Sequence, residues 1–269
     1  MKRLGNFLIL FSLAVFVFSC NKEFSDRYSE YSADNEHIKS VSSNGCTKQM
    51  YLYDNFGKIK ERQSTFFFER YLYDENGRLE KVESAWDERS IISSYRPEQS
   101  TELVTSTNIT MNHYKLYKYD KAGRLSAIEN YFIKNGKKFE LTSINSFEYE
   151  GALIRRENLC DERGKIMQFC DYSYDNNGNI TKEKNYIGLS NPTLSYETTY
   201  KYDNYINPFR ILNILGPKFY SCPNNMIEMT TRWYSNNPRT EGNKQTFIYN
   251  NKGYPVKMTY DGGVEEYAY

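Results

Sequence analysis

Tyr71-Leu72-Tyr73-Asp74-Glu75-Asn76-Gly77-Arg78-Leu79 decides the fold, because the chain repeats it. Close copies read Tyr51-Leu-Tyr53-Asp54-Asn-Phe-Gly57-Lys-Ile59, Tyr117-Lys-Tyr119-Asp120-Lys-Ala-Gly123-Arg-Leu125 and Tyr172-Ser-Tyr174-Asp175-Asn-Asn-Gly178-Asn-Ile180. Worn copies stand at Phe147-Glu-Tyr149-Glu150, Asp161-Glu-Arg-Gly164-Lys-Ile166, Tyr200-Lys-Tyr202-Asp203 and Phe247-Ile-Tyr249-Asn250-Asn-Lys-Gly253. A repeat of this kind fixes the architecture before any other reading.

Tyr-x-Tyr puts two large side chains on one face of a strand, whose side-chain period is two. Asp opens a turn, because its carboxylate accepts from the backbone two residues on. Gly three residues later supplies the positive φ of a type I turn closed by a bulge. That bulge sets the register, with Tyr53 opposite Ile59, Tyr73 opposite Leu79, Tyr119 opposite Leu125 and Tyr174 opposite Ile180. Without the bulge each Tyr would face Lys, Arg or Asn, a poorer cross-strand pair. Each phrase is therefore one β-hairpin. A lone hairpin is marginal in water, so the hairpins are expected to pair edge to edge. The expected fold is all-β, a curved antiparallel sheet of repeated hairpins. The long gaps from Tyr73 to Tyr119 and from Tyr202 to Tyr249 each hold an eroded hairpin or an insertion.

The Tyr-Asp-x-x-Gly-Arg/Lys-Leu phrase resembles the YD repeats of Rhs-type proteins. The layout is also similar to bacterial lipoproteins that carry degenerate YD-like repeats. The resemblance covers roughly residues 47–269 and implies a hairpin-sheet architecture. Large Rhs proteins wrap many such repeats into a closed shell around a toxin; this chain has far fewer repeats and no toxin region after them.

The N-terminus adds a location. Lys2-Arg3 precede an apolar run from Leu4 to Phe18, which ends in Val17-Phe18-Ser19-Cys20. That run has the length of a signal h-region and is short for a membrane span. Residues 1–19 read as a lipoprotein signal peptide, with diacylglyceryl attachment at Cys20. Two or more acyl chains on one Cys anchor stably. By analogy with lipoprotein sorting, Asn21 rather than Asp after the Cys favours the outer membrane, facing either the periplasm or the outside. Residues 20–45 are polar, Ser-rich and aperiodic and read as a flexible tether. Residues 46–269 are then one β domain.

Along that domain, residues 84–113 break the pattern, and Thr101–Tyr117 read as a long strand feeding the third repeat. Asn135-Gly136 reads as an extra hairpin turn. Asn207-Pro208 opens one short helix near 208–215, with Asn as N-cap and Pro at N1. Phe209, Leu212 and Leu215 follow at helical spacing, and Gly216-Pro217 stops it. Its expected role is to plug one mouth of the sheet.

The formal charge is +1 and becomes −1 once Lys2 and Arg3 leave. That balance argues against nucleic acid as a partner. There are 26 Tyr but only 2 Trp and 2 His, which suits a sheet with a partly wet face rather than an aliphatic core. Cys46, Cys160, Cys170 and Cys222 allow three disulfide pairings in an exported compartment, or none. Cys-x-x-Cys is absent and His is scarce, so neither zinc nor any other cofactor is expected. The recurring Asp residues are explained by their turns. No nucleophile elbow, zincin helix or phosphate loop occurs.

Trp86 and Trp233 lie in the two irregular segments, outside the repeats. As loop aromatics they are the candidate ligand-binding residues, for stacking on sugar rings or a protein partner. The alternative is that both fold back as core plugs. The leading functional reading is a membrane-tethered, non-enzymatic binding module for a glycan or a protein. The alternatives are a secreted glycan hydrolase using a carboxylate pair and a purely structural envelope protein.

Overall fold

The computed structural model describes residues 37–86, 102–134, 136, 138–188, 191–234 and 237–269. The signal peptide and Cys20 lie outside them. The strands are β1 (Ser40–Ser43), β2 (Cys46–Tyr53), β3 (Ile59–Ser64), β4 (Phe67–Tyr73), β5 (Leu79–Trp86), β6 (His113–Tyr119), β7 (Leu125–Lys134) and β8 (Lys138–Glu150). They continue as β9 (Leu153–Cys160), β10 (Ile166–Tyr174), β11 (Ile180–Ile187), β12 (Thr193–Ile206), β13 (Asn224–Trp233), β14 (Arg239–Tyr249), β15 (Pro255–Tyr260) and β16 (Gly263–Ala268). Every strand pairs antiparallel with its sequence neighbours, and β1 pairs with β16. The sheet is thus not only curved but closed, as a 16-stranded barrel.

The turn chemistry is as the phrase demands. In the second copy Asp74 Oδ1 accepts from the N–H groups of Asn76 and Arg78 at 3.0 and 2.8 Å. Arg78 Nε returns to Asp74 Oδ2 at 2.8 Å, and Gly77 sits at φ +75°. The bulged register follows, with Tyr53 opposite Ile59, Tyr73 opposite Leu79, Tyr119 opposite Leu125 and Tyr174 opposite Ile180. These turns share one rim with the 250–254 turn, because the strands alternate in direction. The Asp161–Gly164 copy lies on the opposite rim. It keeps the turn bonds but lacks the Tyr-x-Tyr before it.

What joins one hairpin to the next is the hydroxyl of the second tyrosine. Tyr73 donates to the carbonyl of Ile59, Tyr119 to Leu79, Tyr149 to Leu125, Tyr174 to Ile154 and Tyr202 to Ile180, all at 2.7–2.8 Å. In each case the acceptor is the residue that faces the previous hairpin's own tyrosine. Tyr53 donates to Ile38 and Tyr269 to Pro255, which carries the chain of bonds to both ends of the described barrel. The basic residue after Gly covers the next tyrosine: Lys58 lies over the Tyr73 ring, Arg78 over Tyr119 and Arg124 over Tyr149, at 4.5–5.1 Å.

Two expectations are corrected. The tether cannot run to residue 45, because Ser40–Ser43 are the closing strand and His37 stacks on Tyr53. A Ser-rich stretch resembles a linker, but ladder bonds come from the backbone, and Val41 is the one side chain β1 must bury. Thr101–Tyr117 is not one strand: Thr105 and Asn108 close a turn, and β6 begins only at His113. Neither long gap adds a hairpin to the described barrel wall, since β5 pairs directly with β6 and β12 with β13.

The second insertion fills the barrel. Sixteen strands enclose more space than wall side chains can fill. Pro208–Leu215 enters as a 3₁₀ helix rather than an α-helix, with Asn207 Oδ1 accepting from the N–H of Phe209 at 3.0 Å. Leu212 is buried among Tyr51, Tyr71, Tyr117, Leu125 and Ile128, the main core. A second short 3₁₀ turn, Phe219–Ser221, follows, and Phe219 stacks on Tyr200. All four described cysteines are free thiols, and Cys160 faces Ile166 rather than Cys170.

Tyr119→Phe deletes one inter-hairpin bond and leaves the ring. It is expected to cost about 1–2 kcal/mol and to lower Tm by roughly 2–6 °C, with an unchanged β-type circular dichroism spectrum. Tyr114→Phe, on a ring that stacks on Tyr131, is expected to stay within about 0.5 kcal/mol of the parent. Paired thermal melts check this.

Candidate functional site: the barrel lumen and its open mouth

The alternation along each strand assigns the two faces. Residues that pack on the plug point inward, and their neighbours point outward. Around the plug the inward set is aromatic and aliphatic, while the outward set mixes paired charges with exposed Leu52, Leu72 and Ile248. Outward ion pairs run from β4 round to β14. Glu83 meets Arg70 at 3.7 Å and Lys81 at 2.8 Å, Lys118 meets Glu129 at 3.5 Å, and Arg156 meets Asp171 at 2.6 Å. Glu197 takes Lys182 and Lys184 at 3.6 Å, and Glu228 takes Lys201 at 3.1 Å and Lys244 at 3.7 Å. A wall that faces lipid carries an apolar band about 25 Å tall with a polar interior. The outer wall here instead carries ion pairs from β4 round to β14.

Beyond the plug the lumen carries a belt of charge. Arg62 lies 3.5 Å from Glu69, which also accepts from the Tyr71 hydroxyl at 2.7 Å. Lys218, at the end of the plug, lies 3.5 Å from Glu157. Glu157 also accepts from Tyr172 at 2.7 Å and Asn145 at 2.8 Å. Burial pushes the Glu183 carboxyl up and the Lys115 ammonium down. None of these residues belongs to a motif, so sequence reading missed them. Only the register brings β3, β4, β6, β9 and β11 to one level of the lumen.

Trp86 and Trp233 are not loop residues; they end β5 and β13 at the rim away from the Tyr-Asp turns. Trp86 faces Phe67 and Trp233 faces Tyr196 across inward register positions. β13 stands eight places from β5 in the ring of sixteen, so the two indoles sit on opposite walls of the barrel at that rim. Trp86 is 46 % exposed and packs beside Phe66, Phe67 and His113, while Trp233 packs on Tyr196 under the Arg239 guanidinium. The indole N–H of Trp86 donates to His113 Nε2 at 2.9 Å, and His113 Nδ1 lies 2.8 Å from Asn112 Oδ1. This assigns the proton of neutral His113 to Nδ1.

The recurring aspartates are occupied by their turns. Asp175 Oδ1 accepts from the N–H groups of Asn177 and Asn179, and Oδ2 from the Asn179 amide. Among the described residues no group of His, Cys, Asp and Glu is arranged to hold a metal.

No family model matches the chain, and no curated protein matches it. Among solved structures it is similar to a porin-like protein from Bacteroides vulgatus, at 12 % identity over 87 % of this chain and 99 % of that one, with a TM-score of 0.51. A porin-like protein from Bacteroides uniformis matches at 12 % identity over 86 % of this chain and 97 % of that one, with a TM-score of 0.37. In the Tc holotoxin pore of Photorhabdus luminescens a chain matches at 12 % identity with a TM-score of 0.30; the match covers 78 % of this chain and spans 12 % of that one. The first of these likenesses shows a shared barrel fold and nothing beyond it.

Burial, with Lys115 nearby, pushes the His113 imidazole down to about 4. The unfolded chain titrates near 6.5. Stability from this group is therefore complete above about pH 6.5 and is lost as pH falls toward 4, where the unfolded chain binds a proton that the barrel refuses. Protonation of Nε2 also removes the acceptor for Trp86. An NMR titration is expected to place the His113 midpoint near 4, with Trp86 fluorescence changing over the same range.

Proposed function

We propose that this protein is a lipid-tethered, non-enzymatic binding barrel of the outer membrane, built from YD-type hairpins and anchored through Cys20. Its ligand, a glycan or a protein segment, enters the open mouth between Trp86 and Trp233. The observation that carries this reading is the outer wall, ringed with ion pairs. Charge pairs spread over the outside, with aromatic rings at the Trp86–Trp233 rim of the lumen, suit a barrel that stands in water and offers its interior to a ligand. The porin-like fold likeness fits an envelope protein, and the acyl anchor supplies the membrane attachment that this wall does not. Near-neutral overall charge speaks against nucleic acid.

The test is native affinity electrophoresis of the chain from residue 21 onward through gels that hold a panel of polysaccharides. Retardation by one polymer, abolished by Trp86→Ala or Trp233→Ala, is the expected outcome for a glycan ligand. Unchanged mobility in every gel removes the glycan version and leaves a protein ligand.

One observation favours a second reading, a glycan hydrolase. Glu183 is held toward its protonated form by burial, while Glu157 is paired with Lys218. Acid–base pairs in glycosidases split their two carboxyls in this way. Release of reducing ends from a retained polymer, lost in Glu183→Gln, decides for the hydrolase; retention without release decides for binding.

A further inference from the structure

The plug does not fill the barrel evenly. Leu212 and the turn at Gly216 lie against the β2–β8 wall, where Gly216 approaches the Phe147 ring. On the other side, between the plug and the β13–β16 wall, a cavity of about 180 Å³ remains. Set against roughly 30 Å³ for a water molecule in the liquid, it has room for a handful of heavy atoms. Phe209 and Phe219 line it from the plug, and Phe247, Met258 and Tyr267 line it from the wall. Phe209 meets Tyr267 edge-on at 5.7 Å.

Asn207, Asn225 and Gln245 also line it, with their amide N–H groups donating to Tyr220, Cys222, Asp203 and Met226 oxygens, and Glu265 is the one charged residue of the lining. Glu265 occupies the inward position on β16 opposite Met258, and its carboxyl reaches the cavity. Its one hydrogen bond is a long one from the Tyr267 hydroxyl, 3.4 Å. Among the described residues no lysine or arginine pairs with it, and burial pushes its pKa up. A carboxylate among rings and a thioether, with no cation beside it, is costly for the fold.

We propose that this cavity is a binding site for a small alkylated ammonium ion, with Glu265 as its counter-ion and Phe209, Phe219, Phe247 and Tyr267 as its ring walls. The chemistry selects the class. Ring faces attract a positive charge, and alkyl groups on nitrogen suit an aromatic and thioether surface. A neutral ligand leaves the carboxylate uncompensated. The site is separate from the Trp86–Trp233 mouth, so it stands or falls independently of the ligand bound there.

The test is isothermal titration of the mature chain with tetramethylammonium chloride, against neopentyl alcohol as the neutral compound of the same shape and sodium chloride as the salt control. Saturable binding of tetramethylammonium is expected, weakened about tenfold or more by Glu265→Gln, an effect worth about 1.4 kcal/mol. Phe247→Leu keeps apolar volume but removes a ring face; it is expected to weaken the cation and leave the alcohol unchanged. This variant serves should Glu265→Gln fail to fold. Absence of saturable binding to the parent protein overturns the proposal. So does an affinity for tetramethylammonium that neither variant changes, or one that neopentyl alcohol equals.

Discussion

The hydroxyl of the second tyrosine in each phrase is the contact on which the barrel depends. Ladder bonds alone let antiparallel hairpins pair at several offsets, and a wide ring of them has little reason to close at one. Tyr73, Tyr119, Tyr149, Tyr174 and Tyr202 remove that freedom, because each hydroxyl reaches one particular carbonyl of the hairpin before it, while Tyr249 donates to the Asp203 carboxylate instead. The rest of the phrase supports that reach. Asp shapes the turn, Gly admits the bulge, and the bulge brings Tyr and an aliphatic residue face to face. The basic side chain then covers the next ring. Phe has the same bulk but no donor, which explains why the chain is so rich in tyrosine.

Closure at sixteen strands sets the second constraint, a lumen too wide for wall side chains. The excursion from Asn207 to Cys222 answers it. The Asn207 amide donates to the carbonyls of Tyr220 and Cys222, both at 2.8 Å, so one side chain ties the entry of the excursion to its exit. The plug sits on the rim of the Tyr-Asp turns. The other rim keeps the aromatic mouth, and the charged belt lies between. Ion pairs are spread over the outer wall, and the fold is shared with a porin-like protein.

Turn chemistry is local, so hairpins, bulges and registers were legible in the sequence, as was the capped helix at Pro208. What was not legible depended on partners far along the chain. Closure rests on Ser40–Ser43, whose side chains say linker and whose backbone makes the seam. Arg62, Glu69, Lys115, Glu157 and Glu183 look like ordinary surface charges until alternation turns them inward. Glu265 looks no different from Glu266, yet one faces the lumen side with Met258 and the other pairs outward with Lys257. Trp86 and Trp233 were picked out by rarity; their placement as strand ends on opposite walls needed the ring.

The proposed function requires a barrel that stands in water, with its wall facing solvent and its lumen facing a ligand. Sedimentation velocity of the chain from residue 21 onward, in buffer without detergent, tests it most directly. The account predicts a single, compact, monomer-sized species. A chain that stays dispersed only when detergent is added would contradict it and return the wall to the bilayer.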